Sequence, residues 1–151
     1  MPVDLSTQML STIGKVRRRI NDIDPSVYLY TDEELYGYVG DAVDHLEMNY
    51  FKRGRTVDGG DFVLVSSNHM VLVPPAEQNV YAIQATILIT TSIKSKADRD
   101  NFSLRKPNLS VDTSRQSSDH AETLSKLEGE LHSHLFTLSS ISGARHSGDD
   151  A

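Results

Sequence analysis

The 151-residue sequence predicts a mainly α-helical fold: a small bundle of about four helices with a protruding loop or β-hairpin and a flexible C-terminal tail. Apolar residues recur at spacings of three and four along four separate stretches, the pattern of amphipathic helices. The second stretch opens with a complete capping signal. Between the second and third lies a short run of β-branched residues bounded by turn formers.

In the first stretch, Leu5, Met9, Ile13, Val16 and Ile20 lay a narrow apolar stripe along a helix. Asn21-Asp22-Ile23-Asp24-Pro25 ends it, because turn formers and a proline oppose continuation. Thr31-Asp32-Glu33-Glu34 starts the second helix: Thr31 caps free amides, Glu34 returns the bond, and the acids sit at the positive end of the dipole. Leu35, Tyr38, Val39, Ala42, Val43, Leu46 and Tyr50 then form a wide apolar face, and Gly37 and Gly40 offer room for another helix to approach.

Arg53 to Asp61 reads as a polar loop. Phe62–Val65 and Met70–Val73 read as two strands of a hairpin joined through Ser66-Ser67-Asn68-His69. A lone hairpin is marginal in water, so it leans on the helices or pairs with a neighbouring subunit. Pro74-Pro75-Ala76-Glu77 opens a third helix, expected to end near Ile93 or Ala97 and to be the most buried, with Lys94, Lys96 and Arg99 at its negative end. From Asp100 to Ser114 no helical period holds. A fourth helix begins near Asp119, with Ala121, Leu124, Leu127, Leu131 and Leu135 on one face. The expected organisation is one domain over 1–138, with a loop or hairpin at 56–73 and an extended connector at 99–114, then a flexible tail at 139–151.

A net charge of −6 argues against a protein that coats nucleic acid, since phosphate binding needs clustered cations. Cysteine is absent, which excludes disulfides and thiolate metal sites. Met1-Pro2-Val3-Asp4 lacks the pattern of a signal peptide, and Tyr81 to Ile93 is too short and polar to span a bilayer, so a soluble protein without membrane contact is expected.

Candidate chemistry is sparse. His132 and His134 are two apart, about 200° around a helix, whereas ligation wants i and i+4. No metal or cofactor is expected. Asp32, Glu33 and Glu34 are explained by the helix start, and Asp58-Gly59-Gly60-Asp61 lacks the lysine of a phosphate loop, so no catalytic residue is assigned and no enzyme is expected. Lys15, Arg17, Arg18 and Arg19 form the one basic cluster: either a contact site or a solvated helix end complementing the dipole. Tyr28, Tyr30 and Tyr36 sit near the second helix either as interface residues or as core packing; Tyr38 and Tyr50 fit the core stripe.

The run Val16-Arg17-Arg18-Arg19-Ile20-Asn21-Asp22, followed by Tyr30-Thr31-Asp32-Glu33-Glu34-Leu35-Tyr36-Gly37-Tyr38-Val39-Gly40-Asp41-Ala42-Val43, resembles the opening of head-tail adaptor (connector) subunits of tailed bacteriophages. Lys106-Pro107-Asn108-Leu109-Ser110-Val111-Asp112-Thr113-Ser114 before a last helix is similar to that family too. The resemblance lies in order, spacing and length over Leu5 to Leu135. It implies a structural virion protein that forms a homo-oligomeric ring of about twelve copies on the portal protein. Such a ring, assembled in the host cytoplasm and located in the neck of the virion, passes DNA through its channel without sequence-specific binding and receives the next neck or tail protein. Arg17, Arg18, Arg19, Ile141 and Arg145 are then expected to contact the portal or the channel, and Tyr28, Tyr30 and Tyr36 a neighbouring subunit. The alternatives are another neck component, a head-closure or tail-completion protein, which would be richer in β structure, and a small DNA-binding regulator using Arg17 to Arg19.

Overall fold

The computed structural model describes residues 4–103 and 121–138. The elements run in the order α1 (Thr7–Ile20), a 3-10 turn (Pro25–Val27), α2 (Asp32–Leu46) continued by a π-helical turn (Glu47–Phe51), β1 (Arg55–Asp58), β2 (Asp61–Leu64) and α3 (Pro75–Ser103). A further helix, α4, covers 121–138. Among the described residues the fold is therefore a mainly helical bundle of four helices with an antiparallel hairpin, as the periodicity predicts.

Local chemistry sets the helix ends. The Ser6 side chain caps α1, accepting from the Met9 N–H, and Asn21 closes it in the left-handed region (φ 58°) with Asp22 N–H donating back to the Arg17 carbonyl. At α2 the capping box is complete: Glu34 N–H donates to Thr31 Oγ1, and Thr31 N–H to the Glu34 carboxylate, each at 3.1 Å. α3 is the central helix, buried on every side from Val80 to Ile87. Its buried Thr86 hydroxyl donates to the Ala82 carbonyl, so it enters the core with its polar group satisfied.

Met9, Ile13 and Val16 of α1 meet Leu35, Val39, Ala42, Val43 and Leu46 of α2 and the inward side chains of α3 in one core. The α4 residues Leu127 and Leu131 close one side of it. Tyr81 is fully buried and stacks on Phe62 with ring centroids 5.6 Å apart, fastening the hairpin to α3.

Four expectations are corrected. The hairpin is one strand earlier than expected: the stretch from Arg53 holds β1, paired in register Arg55 to Leu64 and Asp58 to Asp61. Its turn is Gly59-Gly60, both at positive φ (60° and 84°), which suits a two-residue hairpin connection. The expected second strand, Met70–Val73, survives only as an isolated bridge from Met70 to Val63. The N-terminus of α1 separates it from β2 beyond that point, because the Gln8 carboxamide donates to the Val71 carbonyl (2.6 Å) and accepts from Val73 N–H (3.0 Å).

Second, the space above Gly40 is filled by β1 rather than by a helix: Val57 Cβ lies 3.7 Å from where a Gly40 side chain would begin, while Gly37 faces open space. Third, Tyr50 is 49% exposed on the π turn, which rotates it off the α2 core stripe. Fourth, residues 99–103 of the expected connector belong to α3, since no proline or glycine interrupts the helix before Pro107. The rest of that connector, the start of the fourth helix near Asp119, and the 139–151 tail with Ile141 and Arg145 lie outside the described residues. No described helix is long and apolar enough to cross a membrane.

Candidate docking surface

The residues expected to act together at the end of α1 are divided by the fold. Arg17 is 5% exposed and turned inward. It donates to Asp22 Oδ2 (2.9 Å) and to Asp32 Oδ1 (2.7 Å), linking the end of α1 to the start of α2. Its guanidinium lies 3.5 Å from the centre of the Tyr28 ring. The expectation of Arg17 as a contact residue is corrected: its side chain is consumed inside the subunit. The sequence carried a signal, since Arg17 is four residues after Ile13 and next to Val16, on the edge of the buried stripe.

Arg19 is also engaged. It makes a bidentate pair with Glu130 of α4 at 2.7 and 3.1 Å, and that hydrogen bond chiefly holds the Glu130 carboxyl below its ordinary pKa. Arg18 is exposed, and no described carboxylate pairs with it or with Lys15. Lys15, Arg18, Arg19 and Asn79 line a shallow groove between α1 and α3.

The α1–α2 connection that follows is tied by internal hydrogen bonds. The buried Asp22 carboxylate accepts from Leu29 N–H (2.9 Å) and Tyr30 N–H (3.1 Å) as well as from Arg17. Asp24 caps the 3-10 turn through Ser26 N–H and its hydroxyl, which together lower the Asp24 pKa. The connection so held projects apolar side chains into solvent: Ile23, Val27 and Leu29 are 60%, 66% and 80% exposed. Exposed apolar groups on a loop tied down by hydrogen bonds present a surface for which part of the ordering cost is met on folding. Periodicity missed this loop because its apolar residues follow neither a helical nor a strand spacing.

The three tyrosines part in the same way. Tyr28 is 41% exposed and belongs to the surface just described. Tyr30 is half-buried, edge-to-face against Tyr38, and burial foremost raises its hydroxyl pKa. Tyr36 accepts the Gly60 N–H (3.0 Å) and packs against the core. Its hydroxyl holds the hairpin turn, which gives it a role inside the subunit beside the expected one at a subunit interface.

A second polar network, not anticipated from sequence, ties the hairpin to α3. Arg53 and Arg55 each donate to Glu77 at 2.6 Å, and Arg53 reaches Glu47 and the Tyr81 hydroxyl. Burial opposes ionisation of Glu77, but hydrogen bonds and charge from the two arginines outweigh it and hold the carboxyl below its ordinary value. Glu77 and the two arginines are spent on one another, which marks them as a structural clamp, while the buried Glu47 Oε1 has only the Arg53 Nε at 3.5 Å and no hydrogen-bond partner among the described residues. His134 sits 3.8 Å from Glu130, His132 is exposed, and among the described residues no group of three or more His, Asp or Glu is placed to hold a metal ion. No protein-family model matches the chain, and no characterised protein or solved structure gives a significant match.

Proposed function

We propose that this chain is a structural ring subunit of a tailed-bacteriophage neck, docking on the portal through the α1–α2 corner. The ring extends the DNA channel and offers its far side to the next neck or tail protein. The observation that carries the reading is the exposed apolar set Ile23, Val27, Tyr28 and Leu29 on the connection that follows α1, together with Lys15 and Arg18 on that helix, which no carboxylate among the described residues pairs, on a subunit of net charge −6. Such a corner fits a partner surface with an apolar recess and an acidic rim, and the cations give that encounter its orientation. The mainly helical fold favours the adaptor over the β-richer head-closure and tail-completion proteins. The order of features over Leu5 to Leu135 supports the same choice.

The test is particle imaging and binding of the full chain mixed with its cognate portal. Rings seated on the portal are expected, and Lys15→Glu combined with Arg18→Glu is expected to weaken docking by at least about tenfold while the helical circular dichroism is unchanged. An absence of rings, or equal portal affinity for the charge-reversed protein, overturns the reading.

A further inference from the structure

Residues 69–73 form the outermost extended segment of the hairpin. On their inner side Leu64 N–H donates to the His69 carbonyl (3.0 Å) and Val71 N–H to the Phe62 carbonyl (2.8 Å). Gln8 completes that side by engaging the Val71 carbonyl and the Val73 N–H. Alternation along an extended chain then turns the backbone groups of Met70 and Leu72 outward, and no hydrogen bond among the described residues engages either N–H or either carbonyl. Their side chains are 56% and 78% exposed. Among the described residues the segment is held from within and open from without.

Exposed edges of this kind are normally guarded by a lysine, a proline or a bulge, because unpaired donors and acceptors template another strand. Here no guard appears between Asn68 and Val73; the first prolines, Pro74 and Pro75, come after the free groups and merely end the segment. We propose that this edge pairs antiparallel with the same edge of a second copy of the chain, about a twofold axis at Val71.

The register makes the edge complementary to itself. With the axis at Val71, Met70 faces the Leu72 of the second copy and Leu72 faces its Met70, each exchanging N–H and carbonyl bonds with its counterpart. Met70 and Leu72 lie on one face of the segment, so pairing also joins the exposed apolar side chains of both copies. Charge permits the approach. Asn68 to Val73 contains His69 but no Asp, Glu, Lys or Arg, so this strip spares two chains of net charge −6 a like-charge contact across the strand pair. A partner chosen for charge has nothing to recognise here, whereas a second copy supplies the same spacing and the same apolar pair.

Sedimentation equilibrium of the full chain without portal, from about 1 to about 500 µM, is the test. A concentration-dependent shift from the 16.8 kDa monomer to the dimer is expected, with amide exchange at Met70 and Leu72 slowing as the dimer forms. Leu72→Pro removes an outward N–H and no internal bond, and Val71 is already extended as a residue before proline must be. It is expected to weaken dimerisation by at least about tenfold with circular dichroism unchanged. Leu72→Lys does the same through charge and decides the matter should the proline variant fail to fold. Leu29→Lys, on the other exposed apolar patch, is expected to leave the dimer intact. A monomer throughout the range, or a dimer that Leu72→Lys does not weaken, overturns the proposal. The measurement contains no portal, so its failure leaves the portal reading standing, and the reverse also holds.

Discussion

Arg17 and Arg18 are neighbours in the chain and carry the same charge, yet they do opposite work. One helical step of about 100° places Arg17 against the core and Arg18 in solvent. Arg17 joins two carboxylates and covers Tyr28, so removing it leaves the buried Asp22 with an uncompensated charge. Arg17→Ala is therefore expected to lose about 3–5 kcal/mol in urea unfolding, while Arg18→Ala stays within about 0.5 kcal/mol of the parent. A loss below about 1 kcal/mol for Arg17→Ala would mean that the α1–α2 corner holds without its guanidinium.

Among the elements, the hairpin depends most on its neighbours. Its strands are four residues each, too little to persist alone. Its attachments include Phe62 on Tyr81, the arginine clamp on Glu77, the Tyr36 hydroxyl on the Gly60 N–H, the Ser6 and Gln8 side chains on Asp61, and Val57 on Gly40. Gly60 is buried, so Tyr36→Phe strands a donor away from water. A loss of about 1–3 kcal/mol is expected in thermal or denaturant unfolding. Were Tyr36 a surface residue, stability would not move and only assembly would suffer, so the unfolding experiment separates the two roles.

Across the whole molecule, the Glu77 clamp makes stability depend on pH with a definite sign. Its folded-state pKa lies below the ordinary value of 4.5, so its stabilisation is complete above that value and is lost as pH falls through the lower native one. Glu77→Gln is accordingly expected to be less stable than the parent at pH 7 and to lose less further stability below about pH 5. Parallel acid limbs for the two proteins would show that other carboxylates govern acid unfolding. The net charge of −6 acts at the same scale, since it sets repulsion between subunits that any assembled form must overcome.

The helices were legible because their signals are local. The Thr31 to Glu34 capping box, the stripe from Met9 to Val16 and the mostly apolar run from Val80 to Ile87 each follow from residues within a few turns of one another. That local chemistry determined the fold class, the start of α2 and the central place of α3. The tertiary structure alone decided which carboxylates Arg17 meets, that β1 rests on Gly40, and that the Gln8 carboxamide holds Val71 to Val73 while Met70 and Leu72 face solvent. These outcomes hang on partners far along the chain, as with Arg17 and Asp32 or Gln8 and Val73. A buried polar group is stable only where a distant partner meets it, and no periodicity encodes that meeting.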